Sequence, residues 1–237
     1  PIRLQSQLRR AVRSLERESG KKFGDGENPL LVSVRSGAAV SMPGMMDTIL
    51  NLGLNEETVV ALAQKFGEEF AFDCYRRFLA LFGEVVYGIA KDRFKMWKRN
   101  LKKVCESHRY VIRKETGREV PSDPWQQLEL AIQAVFRSWD SPRAIAYRKA
   151  SGVPNWWGTA VNVQEMVFGN LGEDSATGVA FSRNTMTGEL GVWGEFLPMA
   201  QGEDVVAGTH TPLVLERMAD WNSRLYDELC QTVVRLD

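Results

Sequence analysis

Apolar side chains recur at helical intervals near the start of the chain, at Ile2, Leu4, Leu8, Val12 and Leu15, and the run stops at Gly20. That spacing predicts an amphipathic helix over residues 2–20 with a glycine stop. A polar turn, GDGENP, leads into the apolar run Leu30–Val34, which reads as a strand. After a loop of small residues, Ile49, Leu50 and Leu52 resume the apolar character. From about Asn55 to Tyr147 the period is helical, with breaks expected near Gly67, Gly83 and the stretch GREVPSDP (117–124). Asn55 followed by Glu56 and Glu57 makes a helix start. Its side chain can accept from free backbone N–H groups, and the acidic pair complements the positive end of the helix dipole. Ser122, ahead of Trp125, Leu128, Leu130, Ile132, Val135 and Phe136, predicts another start.

The character changes after Gly152-Val153-Pro154. Residues 159–168 (TAVNVQEMVF) alternate as a strand does, and 177–183 and 189–196 give two more strands around the turn NTMTGE. Residues 212–237 return to a helical period. The predicted fold is therefore α+β, with a sheet-bearing part over 1–54, a helical insertion over 55–150, and a second sheet-bearing part over 151–237.

Composition narrows the function classes. Lys plus Arg and Asp plus Glu both number 30, so the formal net charge is zero and no basic excess points to nucleic acid. Cys74, Cys105 and Cys230 are far apart and odd in number, which argues against a disulfide framework or zinc site and for a reducing, cytoplasmic setting. No apolar run reaches the ~18 residues of a membrane span, and no secretory h-region opens the chain. Pro1 opens directly on a helical pattern and LYDELCQTVVRLD closes within one, so a piece of a longer chain is expected.

Chemistry concentrates in SVRSGAAVSMPGMMDTILNLG (33–53). Arg35, at the end of an apolar strand, suits phosphate because a guanidinium matches its oxygens bidentately. Gly37 and Gly44 allow backbone N–H groups to approach an anion, and Thr48 stands where a helix could begin. Met42, Met45 and Met46 would make an adaptable apolar wall. An ordinary turn explains the same residues. A second cluster, FGNLGEDSATGVAFSRN (168–184), sets Gly169, Gly172, Ser175, Thr177 and Gly178 between two strands, either as a hairpin loop or as a cover for phosphates. It lacks the P-loop pattern. The third holds Glu195, Glu203 and Asp204, carboxylates of the kind magnesium takes beside phosphates, or plain surface charges. His108 and His210 are isolated. Trp125, Trp139, Trp156 and Trp157 read as core or interface aromatics, and residues 137–148 as a packed, salt-bridged helix.

Five segments taken together carry a resemblance: LLVSVRSGAAVSMPGMMDTILNLGLN (30–55), AVFRSWDSPRAIAYR (134–148), GTAVNVQEMVFGN (158–170), SATGVAFSRNTMTGE (175–189) and AQGEDVVAG (200–208). In this order they resemble the ATP-grasp-type nucleotide-binding region of the pyruvate, phosphate dikinase family, over essentially the whole chain. The resemblance implies ATP and Mg²⁺ as cofactors. It implies Arg35 on phosphate, Gly44 and Thr48 in the loop near the phosphates, and Met46 on the apolar side of the pocket. Gln164, Met166 and Val167 match the hinge strand facing adenine, Gly172 to Gly178 (with Ser175 and Thr177) the mobile glycine-rich loop, and Glu195 the carboxylate near the ribose. No side chain is carried over as a metal ligand.

In that family the domain uses ATP and phosphate to phosphorylate a histidine on a swivelling domain, which then converts pyruvate to phosphoenolpyruvate in a homodimeric parent. The resemblance also implies pieces outside these residues: a lysine-bearing GGKG-type segment before Pro1, and Glu, Gln-x-Arg and Thr-Ser-His motifs beyond residue 237. The piece alone is expected to lack turnover. Local departures are His210 where Arg is usual before Thr-Pro, Ala39-Val40 in place of an arginine-containing version, and a shortened helical block. The competing expectations are a non-catalytic, paralogous interaction domain and a PEP synthase-like enzyme using water.

Overall fold

A computed structural model describes residues 2–95, 100–206 and 211–236. It divides into two compact units, residues 1–166 and 167–237. The first contains α1 (Ile2–Ser19), β1 (Val32–Gly37), β2 (Thr48–Leu52), α2 (Thr58–Phe66), α3 (Glu68–Tyr87), α4 (Leu101–Thr116), α5 (Pro124–Ser138), α6 (Pro142–Ala150) and β3 (Ala160–Glu165). The second contains β4 (Ala176–Arg183), β5 (Leu190–Pro198), the one-turn α7 (Gly202–Val206), β6 (Leu213–Val214), α8 (Arg217–Trp221) and α9 (Ser223–Leu236).

In the first unit the strands form an antiparallel sheet ordered β2-β1-β3. Its apolar side chains Val32, Val34, Ile49 and Leu52 are buried; α3 packs on β2 and α5 on both β1 and β2, with Phe78, Leu79, Leu128 and Val135 also buried. Each such large side chain removed from water contributes about 1.5–3 kcal/mol, which is what holds the helices to so small a sheet. Polar groups fix the register. Buried Gln127 of α5 accepts from Gly53 N–H (3.1 Å) and donates to the carbonyls of Leu54 (2.9 Å) and Pro121 (2.8 Å). Asn51, at φ 59°, donates to Cys74 O of α3 at 3.3 Å.

Several expectations change here. Thr48 opens strand β2 rather than a helix, because it pairs with Arg35 across the ladder and β-branched Ile49 continues the strand. Gly83 does not break its helix. A Cβ there would lie 2.3 Å from the Phe94 ring, so glycine serves close packing, and α3 runs on to Gly88, whose left-handed backbone (φ 71°) ends it. Residues 137–148 are not one helix: Ser141 caps α6 by accepting from Ala144 N–H, and Pro142 follows it, so the chain turns a corner at 139–141. Trp139 is buried and Trp125 packs edge-on to Phe23, but Trp156 and Trp157 are exposed, 84% and 45%, and are not core.

The second unit is an antiparallel sheet ordered β4-β5-β6, with Phe196, Leu215 and Met218 buried beside Trp221, Tyr226 and Leu229. Here the predicted helix over 212–237 is interrupted. Leu213 and Val214 pair with β5, and Asn222 separates α8 from α9 while its side chain accepts from Leu225 N–H. His210 lies outside the described residues.

Candidate functional site

The segment between β1 and β2 encloses a pocket of about 420 Å³, lined among others by Arg35, Gly37, Met42, Gly44, Met46 and Thr48. Four of the residues singled out from the sequence, Arg35, Gly44, Met46 and Thr48, thus share one cavity. β1 and β2 put Arg35 and Thr48 directly opposite each other. Gly44 takes a left-handed backbone (φ 72°), and a Cβ there would meet no atom within 4 Å, so conformation rather than crowding asks for glycine.

One wall is apolar. Met42 is buried with Trp139 and Ala144, and Met45 and Met46 pack against that cluster. The loop is also tied by polar bonds to the α5–α6 corner. Arg143 forms an ion pair with Asp47 and donates to Met45 O at 3.1 Å, Asp47 N–H donates to Ser138 Oγ at 3.1 Å, and Tyr147 Oη donates to Ser41 O at 3.4 Å. With Asp47 held by Arg143, Arg35 is the cation that the pocket offers to an anion.

The sheet adds a neighbour that the sequence reading did not single out. Arg35 pairs with Asn162 and Ser33 with Gln164 across β1 and β3, so Arg35, Asn162, Gln164 and Thr48 project from the same face. The Asn162 amide crowds Gly37, where a Cβ would come within 3.2 Å of Nδ2. Its signal was the alternation of TAVNVQE, which puts Asn162 on the face of Gln164. Met166 N–H donates to Leu31 O at 2.9 Å. In an antiparallel ladder its backbone therefore points at β1, and it is Glu165 and Val167 whose backbone groups turn away. Val167 is 90% exposed.

The remaining predicted residues belong to the second unit. Residues 168–175 do not form a hairpin tip: β3 pairs with β1, and β4 with β5. Within this segment Ser175 N–H donates to Gly172 O at 3.0 Å, and Ala200 N–H to Gly169 O. Thr177 and Gly178 lie inside β4 rather than in the loop. A Cβ on Gly178 would come within 2.5 Å of Glu195 O, so that glycine is required by strand packing. Glu195 is exposed within β5, opposite Val179 and Val214. Asp204 accepts from Gln201 N–H and so closes the turn into α7. Among the described residues no three His, Cys, Asp or Glu side chains gather to hold a metal ion, so they form no cage for magnesium by themselves.

Comparison with known proteins matches residues 1–221 to the model of the pyruvate phosphate dikinase AMP/ATP-binding domain. The chain belongs to that family. Pyruvate, phosphate dikinase 1 of Arabidopsis thaliana, a chloroplastic protein, is 50% identical over 98% of the chain. The Clostridium symbiosum and Giardia intestinalis pyruvate, phosphate dikinases are 47% and 49% identical over 99% and 100% of it. The chain spans only 26–29% of the length of these relatives. Its mixture of helices and small sheets fits the ATP-grasp-like α+β character of the pyruvate phosphate dikinase nucleotide-binding domain. Among the described residues no helix is long and apolar enough to cross a membrane.

Proposed function

We propose that this chain is the ATP-binding part of a pyruvate, phosphate dikinase and that its nucleotide phosphates sit on Arg35. The observation that carries this reading is the convergence of Arg35, Gly44, Met46 and Thr48 on one pocket, in a chain of the AMP/ATP-binding family. Phosphoryl transfer needs positioning and charge stabilisation more than covalent side-chain chemistry. In this reading Arg35 clamps phosphate, Thr48 and Asn162 supply polar contacts on the same face, and the Met42–Met46 wall receives the flat base. At the end of β3 the backbone groups of Glu165 and Val167, which turn away from β1, are the ones offered to adenine.

The second unit contributes separately, with Gly172 and Ser175 in a loop for the phosphates, Thr177 and Gly178 holding its far end on β4, and Glu195 for the ribose. Residues 55–150 form a helical insertion within the first unit, between β2 and β3 of its sheet. Magnesium enters as an ion carried on the nucleotide. The phosphohistidine and pyruvate-binding domains, inorganic phosphate as co-substrate, a homodimeric parent and a cytoplasmic site of action belong to the same proposal. This chain alone binds ATP only weakly and without dikinase turnover.

Calorimetric titration of ATP-Mg²⁺ into wild type and Arg35→Ala tests the reading. Binding by wild type that weakens in the variant supports it. No heat from wild type, or equal affinity in both, overturns the assignment of the pocket.

A further inference from the structure

Arg148 is among the largest fully buried side chains, 1% exposed, and among the described residues no carboxylate pairs with it. A buried cation is costly unless other groups replace its water. Here they form a closed three-residue lock. Arg148 Nη1 donates to Trp139 O, Nε donates to Asn155 Oδ1 at 3.0 Å, and the guanidinium lies 4.1 Å from the centre of the Trp139 ring. The Trp139 indole N–H closes the ring by donating to Asn155 O at 3.4 Å.

Both ends of this lock bear on the pocket. Trp139 is the flat support of the methionine wall, packed with Met42, Met45 and Met46. Helix α6, which carries Arg148 in its last turn, also carries Arg143 and Tyr147, whose bonds hold residues 41–47. A helix of nine residues has little stability of its own. An apolar side chain at position 148 would serve mere packing at lower desolvation cost, whereas a guanidinium imposes one fixed geometry on its two neighbours. We infer that Arg148 is a positioning residue for the nucleotide pocket: it sets Trp139 and α6, and through them the methionine wall and the loop beside Arg35. The inference rests on the nucleotide reading above and goes one step beyond it.

The test uses the whole chain labelled with ¹³C-methyl methionine, as wild type, Arg148→Lys and Arg148→Met, with ATP-Mg²⁺ as titrant. The expected result is a displaced Met42 and Met46 methyl signal in both variants, because their shifts are set by the indole ring. Met218, in the other unit, stays in place. ATP affinity falls about tenfold, the size of one charged hydrogen bond, and Arg148→Lys does not restore it, since an ammonium cannot bridge the same three groups. Should Arg148→Met fail to fold, Arg148→Lys decides alone. Unmoved Met42 and Met46 signals, or Arg148→Lys binding ATP as wild type does, overturn the inference. Wild type that binds no ATP overturns the nucleotide reading instead, a separate result.

Discussion

Arg35 and Asn162 face each other across the β1–β3 ladder, their side chains on one face of the sheet and Gly37 beneath the asparagine amide. This pairing puts a guanidinium next to a neutral donor–acceptor, a combination suited to phosphate oxygens. Arg35→Ala is expected to weaken ATP binding by about 1.5–3 kcal/mol, roughly 10- to 100-fold, as loss of a hydrogen bond to a charged group does. Because Arg35 is exposed, the variant's unfolding free energy in urea should stay within about 0.5 kcal/mol of wild type. Asn162→Ala should show the same pattern with a smaller loss. Calorimetry beside urea unfolding separates a binding effect from a folding one.

Gln127 tests how the helices are fastened to the sheet. Its amide satisfies Gly53 N–H and the carbonyls of Leu54 and Pro121 from a fully buried position. Gln127→Met keeps the volume and removes all three partners. Buried groups left unpaired cost about 1–3 kcal/mol each before relaxation, so a loss of about 2–4 kcal/mol is expected in equilibrium urea unfolding. A change below about 1 kcal/mol would mean that the strand end re-forms those bonds elsewhere.

The second unit has its own weak point. Gly194 sits at φ 145°, and a Cβ there would lie 1.9 Å from Val179 O, inside the β4–β5 ladder. No rotamer relieves a clash with backbone. Gly194→Ala should destabilise this unit by about 3 kcal/mol or more and expose residues 176–198 to limited proteolysis. A wild-type cleavage pattern would show that the strands part at no cost.

His108 gives a pH signature. Burial pushes its pKa below the usual histidine range, with Arg76 O 3.2 Å from Nδ1 and the Phe94 ring edge-on to the imidazole. Among groups facing it, the Arg76 guanidinium also lowers the pKa, while the backbone carbonyl of Arg76 beside Nδ1 partly offsets the shift. The folded protein thus holds fewer protons here than the unfolded chain. Its contribution to stability is complete above the ordinary histidine pKa of about 6.5 and is lost as pH falls through that value towards the lower folded pKa. The urea midpoint of wild type should therefore drop more between pH 7.5 and pH 5.5 than that of His108→Gln. Parallel drops would refute the assignment.

The elements that sequence rendered well were those with a clean period. The helix from Ile2, the stop at Gly67, the break at 117–124 and the alternation of β3 all follow from side-chain spacing and backbone preference. Arg35, Gly44, Met46 and Thr48 were readable as neighbours because one short loop carries them, even though Thr48 proved to start a strand. What was hidden depends on partners far along the chain. Gly83 reads as a break until Phe94 is seen against it. The single-helix reading of 137–148 underweighted Ser141-Pro142. Arg148 falls in a segment that reads as a salt-bridged helix, but its partners are the Trp139 carbonyl and the Asn155 amide rather than a carboxylate. Asn162 was visible in its own alternation but gained meaning only opposite Arg35.

The β1–β3 ladder also dictates an order of events. Gly37 must find Ala160, and Val32 must find Glu165, with all of α2 to α6 strung between them. Such distant pairing is slow because a long loop closes before its contacts form. During synthesis β1, β2 and the segment beside Arg35 leave the ribosome early, and β3 leaves last in its unit. The floor of the pocket is thus laid down well before Asn162 arrives, and until that strand docks, the growing chain carries an open sheet edge that its own helices must shelter.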